Sequence, residues 1–278
     1  MVRALSFTHL WIAGAAAVTT WASWEWVGQG EGATTWALWV GLSTGLGYAV
    51  QRAIKHGLDA ANMPPLRRAF WDAHRNAMVG GWSLVWAAFT LWHWEGLHLL
   101  DRMSWLLTLG VLGLLYAVVP GTRRGLRALP WLKIPLIATA WALATTPTFD
   151  GVHVGLFASR WLLIAGLTLP FDVRDLGVDQ HRITTLPMTW GITTSLRIAT
   201  LLSLGSGLGL CLSGALGMKP VLSAMLLSQS VLAAGLVASP ALARGLREDD
   251  EWKREQWTGL VLDGVLWLPL LIAAYDLI

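Results

Sequence analysis

The chain has 278 residues, of which 55% are hydrophobic and only 13% are charged, and its formal net charge is +3. Soluble domains carry about a quarter charged residues, so the composition argues against an ordinary soluble domain and indicates a protein embedded in a bilayer. The single cysteine, Cys211, excludes a disulfide framework and a cysteine-based zinc site.

Nine apolar stretches have the length expected of spanning helices, since about 20 apolar residues cross the hydrocarbon core. Lipid offers no hydrogen-bond partners, so each stretch must satisfy its backbone within a helix. We therefore predict an all-α fold, a single transmembrane domain of nine helices. A weak similarity between the second and sixth links suggests two similar halves, roughly 1–131 and 132–278. The predicted spans are 5–26, 34–54, 76–98, 103–119, 132–147, 152–170, 191–213, 219–243 and 257–277, with longer polar links at 55–75, 120–131, 171–190 and 244–256.

Basic residues distinguish the two sides of this predicted bundle. Fifteen of the twenty lysines and arginines lie in or beside the four longer links, whereas the opposite links hold only Arg102 and Lys219. Loops rich in lysine and arginine stay on the cytoplasmic side of a membrane. The pattern predicts an inner-membrane protein with its N-terminus inside and its C-terminus outside.

Many of the nineteen tryptophans mark the outer ends of the predicted helices. Indole rings favour the headgroup region, where the ring is buried and the N–H stays hydrated. We interpret them as an interfacial belt, and a dedicated site for an aromatic pigment or a quinone is the alternative. The tryptophans in question are Trp21, Trp24, Trp26, Trp36, Trp39, Trp92, Trp94 and Trp105.

The sequence FDVRDLGVDQHRITTLPMTWG, residues 171–191, places Asp172, Asp175 and Asp179 close together in a chain with few charges. Carboxylates spaced three and four residues apart share a face of a helical turn and repel one another unless a cation lies between them. Mg²⁺ takes carboxylate oxygens together with substrate phosphate oxygens. The trio therefore indicates a magnesium–diphosphate site, and a solvated loop whose acids pair with Arg174 and Arg182 is the alternative.

This stretch resembles the second aspartate motif of the UbiA family of intramembrane prenyltransferases. That motif runs Asp-x-x-Asp-x-x-x-Asp, then basic and small residues, Thr-Leu-Pro, and a glycine before the next helix. The resemblance implies that the three aspartates are catalytic magnesium ligands at the cytoplasmic face. The matching residues are Asp172, Asp175, Asp179, Arg182, Thr185, Leu186, Pro187 and Gly191.

Residues 114–141 add a weaker similarity to the same family, which often has a tyrosine near the end of its fourth helix, then a proline and a basic loop. Tyr116, Pro120, Arg123, Arg124 and Lys133 fit this outline. The resemblance implies that Tyr116, Arg123 and Lys133 contact the substrate. Lipid headgroups are the alternative partner of the basic residues.

The family's first motif, Asn-Asp-x-x-Asp-x-x-x-Asp, is altered at the equivalent place, residues 51–67. Arg52 and Lys55 take the first two aspartate positions, and neither side chain has a lone pair for a metal. They are expected either to contact phosphate oxygens directly or to pair with the aspartates and fill the site. The remaining positions are kept as Asp59, Asn62 and Arg67, which the resemblance implies are substrate-binding.

The resemblance implies Mg²⁺-dependent transfer of an isoprenyl group from its diphosphate to an aromatic or quinone-precursor acceptor. The expected ligands are an isoprenyl diphosphate, a hydrophobic acceptor and membrane lipid, and nothing in the sequence indicates nucleic-acid binding. The alternative is a catalytically silent protein of the same fold that binds a lipid, quinone or pigment, or scaffolds a membrane complex.

Two further features are ambiguous in the sequence. Arg160 and Asp263 lie within predicted spans, where ionisable residues are functional candidates; they are expected to pair with each other or to face an aqueous cavity. The mixed charge run at 247–255 is interpreted as a solvated loop.

Overall fold

The computed structural model describes residues 2–28, 32–60, 63–117, 129–146, 153–179, 184–212 and 220–270. These residues form helices and short connections, without a strand in the described ranges, so the all-α prediction is confirmed. After the last α-helix the chain continues as a π-helical turn, Gln256–Leu262, and a 3₁₀ turn, Val265–Trp267. The helices are α1 Val2–Phe7, α2 Leu10–Val27, α3 Ala33–Asp59, α4 Pro65–Trp92, α5 Trp94–Leu97, α6 Met103–Ala117, α7 Pro130–Thr145, α8 Val154–Arg174, α9 Leu176–Asp179, α10 Leu186–Trp190, α11 Ile192–Leu212, α12 Pro220–Ala238, α13 Pro240–Gly245 and α14 Glu251–Glu255.

The long helices coincide with predicted spans. Two of them, Val154–Arg174 and Ile192–Cys211, are long and apolar enough to cross a bilayer by length and composition, and three shorter apolar helices accompany them. The count of nine spans, the inner-membrane orientation and the two similar halves stay predictions.

Three helices extend beyond the apolar stretches into the segments predicted as polar links. α3 continues to Asp59, α4 already begins at Pro65, and α8 continues to Arg174. Proline at the first position of α4 suits a helix start, because its missing N–H would have no helical partner there. Arg67, Asp172 and Arg174 of these links therefore lie on helices instead of in loops.

Small residues allow α8 and α11 to pack closely. A Cβ atom added to Gly166 would lie 2.6 Å from the Ser203 hydroxyl oxygen and 2.8 Å from the Ala199 carbonyl oxygen. Helices in lipid associate through such close contacts, since lipid tails provide no hydrophobic driving force. The pair forms the centre of the main core, together with α7, α12 and the C-terminal segment.

Arg160 ties several helices together within the bundle. It is only 2% exposed, and it donates hydrogen bonds to the Ser23 hydroxyl at 3.0 Å and to the Gln229 side-chain oxygen at 2.8 Å. The Gln229 amide donates in turn to the Val265 carbonyl at 3.1 Å. Arg160 thus joins α2, α8 and α12 through neutral groups, and the expected pairing with Asp263 is not formed.

Only part of the predicted tryptophan belt faces outward. Trp92 is 86% exposed, in keeping with an interfacial position, whereas Trp24 and Trp36 are 4% and 2% exposed. The ring of Trp36 stacks on Trp39 with centroids 5.0 Å apart, and the Arg102 guanidinium lies 4.1 Å from its centroid. These buried indoles form a separate aromatic core where α2 ends and α3 begins.

The contact between α8 and α11 gives a direct test of the packing. We expect Gly166→Ala to destabilise the protein by about 1–3 kcal/mol, because the new methyl group meets backbone that must shift. The matched control is Gly235→Ala on α12, where an added Cβ meets nothing within 4 Å. Thermal unfolding in detergent should show a lower Tm for the first variant and an unchanged or slightly higher Tm for the second. Equal Tm values for the two variants would contradict this packing.

Candidate functional site

A cavity of about 490 Å³, the central cavity, lies among α2, α3, α6, α7, α8 and the C-terminal segment. Its charged end is formed where α3, α8 and α14 end and where α4 and α7 begin. Its deeper walls are apolar and aromatic, and they include Trp39, Trp105 and Trp141. The charged residues that line it are Arg52, Arg67, Lys133, Asp172, Arg174, Asp175, Glu255 and Asp263.

The Arg174 guanidinium organises this charged end. Its Nε and Nη2 atoms donate to the two carboxylate oxygens of Asp175 at 2.7 and 3.0 Å, in the bidentate geometry typical of arginine and carboxylate. Its Nη1 atom donates to Glu255 Oε2 at 3.0 Å and to the Thr258 hydroxyl at 2.7 Å. One side chain thus joins the end of α8 to the C-terminal segment.

Glu255 extends the network to the N-terminal half of the chain. The same Oε2 atom accepts from Arg67 Nη2 at 2.5 Å, and Oε1 accepts from the Ser6 hydroxyl at 3.1 Å. The side chains of Arg67 and Glu255 are only 11% and 12% exposed. Residues near both ends of the sequence and on α4 therefore meet at one carboxylate.

Both acids of this network stay ionised at neutral pH. Burial alone would raise the pKa of Glu255, but the charges of Arg67 and Arg174 outweigh burial and lower it to about 2. Burial likewise acts to raise the pKa of Asp175, and the Arg174 guanidinium outweighs it and holds that pKa below its ordinary value.

A second ion pair lies beside the network. The Lys133 ammonium donates to the Asp172 carboxylate, whose side chain is 1% exposed, while that of Lys133 is 15% exposed. The pair joins the start of α7 to the last turn of α8. Two of the three predicted magnesium ligands, Asp172 and Asp175, are thus each bound by a cation.

Among the cations at the charged end of the cavity, Arg52 differs in having no ion-pair partner. It forms no hydrogen bond or ion pair with the described residues, and its buried Nε atom lacks a partner. The charged lining comprises four cations and four anions, so Arg52 is left over when the other three cations pair with Asp172, Asp175 and Glu255. An arginine without an ion-pair partner at the wall of a cavity is suited to an anionic group.

The central cavity brings together six of the predicted site residues: Arg52, Arg67, Tyr116, Lys133, Asp172 and Asp175. Lys55 lies on the same helix as Arg52 but does not line the cavity. The backbones of Asp59 and Asp179 are helical, and their side chains lie outside what the structure describes. Asn62, Arg123 and Arg182 lie outside the described residues.

The residues after the aspartates form the turn that the motif indicates. Thr185 precedes the short helix α10, with Pro187 at its second position, where a missing N–H costs nothing. Gly191 ends this helix with φ at 80°, a conformation that side chains with a Cβ rarely adopt. α11 starts at the next residue and packs on α8, so the turn positions the aspartate-bearing end of α8.

These residues do not fit a magnesium cluster in the arrangement observed. Mg²⁺ requires free oxygen ligands, whereas an Asp172 oxygen accepts from Lys133 and both Asp175 oxygens accept from Arg174. No three histidine, cysteine, aspartate or glutamate side chains of the described residues come together as a metal site. The chemistry below is therefore derived from the side chains alone.

The sequence does not single out Glu255 as a site residue, and it indicates Arg174 only as a partner of the acids in the alternative interpretation, a pairing that Asp175 does form. The run 247–255 was interpreted as a solvated loop, but Glu255 is buried between Arg67 and Arg174. A usable signal is its position, because Glu255 directly precedes the last apolar stretch and must lie near the start of that stretch, beside the other charged links. Asp263 also lines the cavity, eight residues further on, and forms no hydrogen bond with a described residue.

Comparison with known proteins gives two structural matches. A UbiA homologue from Archaeoglobus fulgidus, solved with GPP and Mg²⁺ bound, superposes with a TM-score of 0.57 at 11% identity over 97% of this chain and 99% of its own. A digeranylgeranylglyceryl phosphate synthase, studied in membranes, superposes with a TM-score of 0.51 at 14% identity over 96% of this chain and 95% of its own.

No protein-family model matches the sequence, and no curated protein matches it either. The structural matches cover nearly the full length of both partners, so the likeness extends to the whole bundle and not to a few helices. At these identities the likeness concerns the fold. The chain has the fold of the UbiA-type intramembrane prenyltransferases.

Proposed function

We propose that the chain binds an isoprenyl diphosphate in the central cavity and transfers its isoprenyl group to a hydrophobic aromatic or quinone-precursor acceptor. One observation carries the proposal: a single cavity joins Arg52, which has no ion-pair partner among the described residues, to an aromatic, apolar interior. Its volume lies within the range of about 300–1,000 Å³ that is typical of small-molecule sites. The GPP-bound homologue of the same fold supports this ligand class.

The charged end would hold the diphosphate. The unpaired Arg52 donates to phosphate oxygens, and Arg67 and Lys133 add positive charge beside it. When the bond between C1 of the isoprenyl group and the diphosphate oxygen breaks, the electron pair leaves with the diphosphate. Cations that are already in place stabilise this developing charge without reorganisation.

The deeper walls would hold the isoprenoid tail and the allylic cation. Trp39, Trp105 and Trp141 exclude water that would quench the cation, and the faces of aromatic rings attract positive charge. A ring carbon of the acceptor then bonds to C1 and releases its proton. The departed diphosphate takes up this proton, which restores the aromatic ring of the acceptor. Tyr48 and Asp263 line the same cavity.

A second candidate function is the silent binder of the same fold. It is favoured by the pairing of Asp172 with Lys133 and of Asp175 with Arg174, which occupies the carboxylates that would otherwise bind metal. In that case the protein holds an anionic amphiphile, and the diphosphate bond stays intact.

Arg52→Gln is the sharpest test of ligand binding, because it removes the unpaired cation without breaking an ion pair of the described residues. A lost charge-assisted hydrogen bond is worth about 1.5–3 kcal/mol, so we expect geranyl diphosphate to bind about 10–100-fold more weakly. The control is Arg68→Gln, because Arg68 is an exposed arginine of α4 that does not line the central cavity. Isothermal titration with purified protein measures the affinity of both variants for geranyl diphosphate. An equal loss of affinity in the two variants would argue against binding of the diphosphate at Arg52.

Metal dependence is tested in the same titration. Since the described acids are held by cations, we expect the wild-type affinity for geranyl diphosphate to change less than threefold between EDTA and millimolar Mg²⁺. Binding that appears only with Mg²⁺ would indicate that Asp172 and Asp175 are magnesium ligands, as the sequence predicts. Binding under neither condition would contradict the proposed function itself.

Turnover separates the two candidate functions. We expect release of inorganic diphosphate when geranyl diphosphate is supplied together with a phenolic acceptor such as 4-hydroxybenzoate or with an extract of membrane quinone precursors. Phosphate-coupled detection and mass spectrometry of prenylated product provide the measurement. Tight binding without release across these acceptors would favour the silent binder.

Lys133→Met tests the structural role of the second ion pair. Removing one partner leaves the Asp172 carboxylate buried without compensation, and such losses cost about 3–5 kcal/mol. We expect a clear fall in Tm, and partial recovery in Lys133→Met/Asp172→Asn, in which the buried group is neutral. An unchanged Tm in the single variant would show that the pair contributes little to stability.

A further inference from the structure

A second concave surface, the α11–α12 groove, lies on the outside of the bundle and has a volume of about 530 Å³. One wall is the first half of α11, with Arg197 and Leu201. The other wall is the end of α12 and the start of α13, with Val237 and Pro240, and Arg247 follows α13 at its edge. None of these residues lines the central cavity.

Two unpaired cations stand at this groove. Arg197 and Arg247 are exposed, and neither guanidinium group forms a hydrogen bond or ion pair with a residue in the part of the chain that the structure describes. Two acids that follow Arg247 in the sequence have other partners. Glu248 lies 3.8 Å from the Lys253 ammonium, and Asp250 accepts from the first amides of α14.

The surface beyond Arg197 is a continuous apolar stripe. Leu201, Leu204 and Leu208 follow it at helical spacings of four, three and four residues, and they are 67%, 48% and 59% exposed. Eleven residues of α-helix span about 16 Å. That length matches the roughly 15 Å hydrocarbon depth of one bilayer leaflet.

We infer that the α11–α12 groove binds a phospholipid with an anionic headgroup, which places its phosphate between Arg197 and Arg247 and one acyl chain along the leucine stripe of α11. Basic pockets between spanning helices are suited to anionic headgroups, and the adjoining stripe adds apolar contact for the chain. This site is separate from the central cavity and does not depend on the function proposed for it.

The test compares dioctanoyl phosphatidylglycerol with dioctanoyl phosphatidylcholine, each added to the detergent-purified full chain. Native mass spectrometry counts the bound lipid, and thermal unfolding measures the shift in Tm. With about a fivefold contribution expected per arginine, phosphatidylglycerol should bind at least about tenfold more tightly than phosphatidylcholine. Equal binding of the two lipids would overturn the inference.

Arg197→Gln/Arg247→Gln should remove this preference, whereas Arg244→Gln, an exposed arginine of α13 outside the groove, should keep it. The single variants Arg197→Gln and Arg247→Gln provide the same readout if the double variant unfolds. A preference that persists in all groove variants, or that is lost equally in Arg244→Gln, would overturn the assignment of the site.

Glycerol phosphate distinguishes a lipid from a free phosphate group as the ligand. It carries the headgroup chemistry without an acyl chain, so we expect no Tm shift at concentrations at which phosphatidylglycerol is saturating. A shift as large as that of phosphatidylglycerol would overturn the role of the leucine stripe, and with it the lipid assignment.

Discussion

The hydrogen bonds of the Arg174 guanidinium hold together the charged end of the central cavity. It binds both oxygens of Asp175 and, through one further nitrogen, Glu255 and Thr258. Glu255 in turn holds Arg67 and Ser6. Buried charges are costly unless they are paired and hydrogen-bonded. These partners therefore constrain one another and fix the start of α4, the end of α8 and the start of the C-terminal segment.

This constraint determines the character of the site. In a bundle of this fold whose aspartates were not paired with cations, the negative charge at the cavity entrance would favour the binding of metal ions. Here Lys133 and Arg174 neutralise two of the acids from within the protein, and Arg52 adds an unpaired positive charge at the same end of the cavity. The charged end therefore suits an anion without an added cation. The interior beyond it keeps the apolar and aromatic walls that an isoprenoid chain requires.

Much of this arrangement can be predicted from the sequence. The apolar stretches predict the long helices, because backbone in lipid must be helical, and the motif at 171–191 predicts the turn from α8 to α11. Arginine and lysine replace aspartates in the first motif, and this change predicts an altered binding site for the diphosphate. Arg52 does line the cavity. These features follow from local chemistry, since each depends on residues that are close together in the chain.

Features that depend on distant partners could not be predicted in the same way. Glu255 and Arg67 are 188 residues apart, and Lys133 and Asp172 are 39 apart. The run containing Glu255 has the composition of a solvated loop, and only the folded bundle places it against two arginines. Likewise, the tryptophans fit an interfacial belt by position, but Trp24 and Trp36 pack inward because α2 and α3 meet there.

The most direct measurement is an experimental structure with geranyl diphosphate bound. The account predicts diphosphate density within hydrogen-bond distance of Arg52, with the tail extending past Tyr48 toward Trp39 and with the pairs Lys133–Asp172 and Arg174–Asp175 intact. A diphosphate bridged by metal ions to Asp172 and Asp175, with those pairs broken, or a ligand bound outside the central cavity, would contradict it.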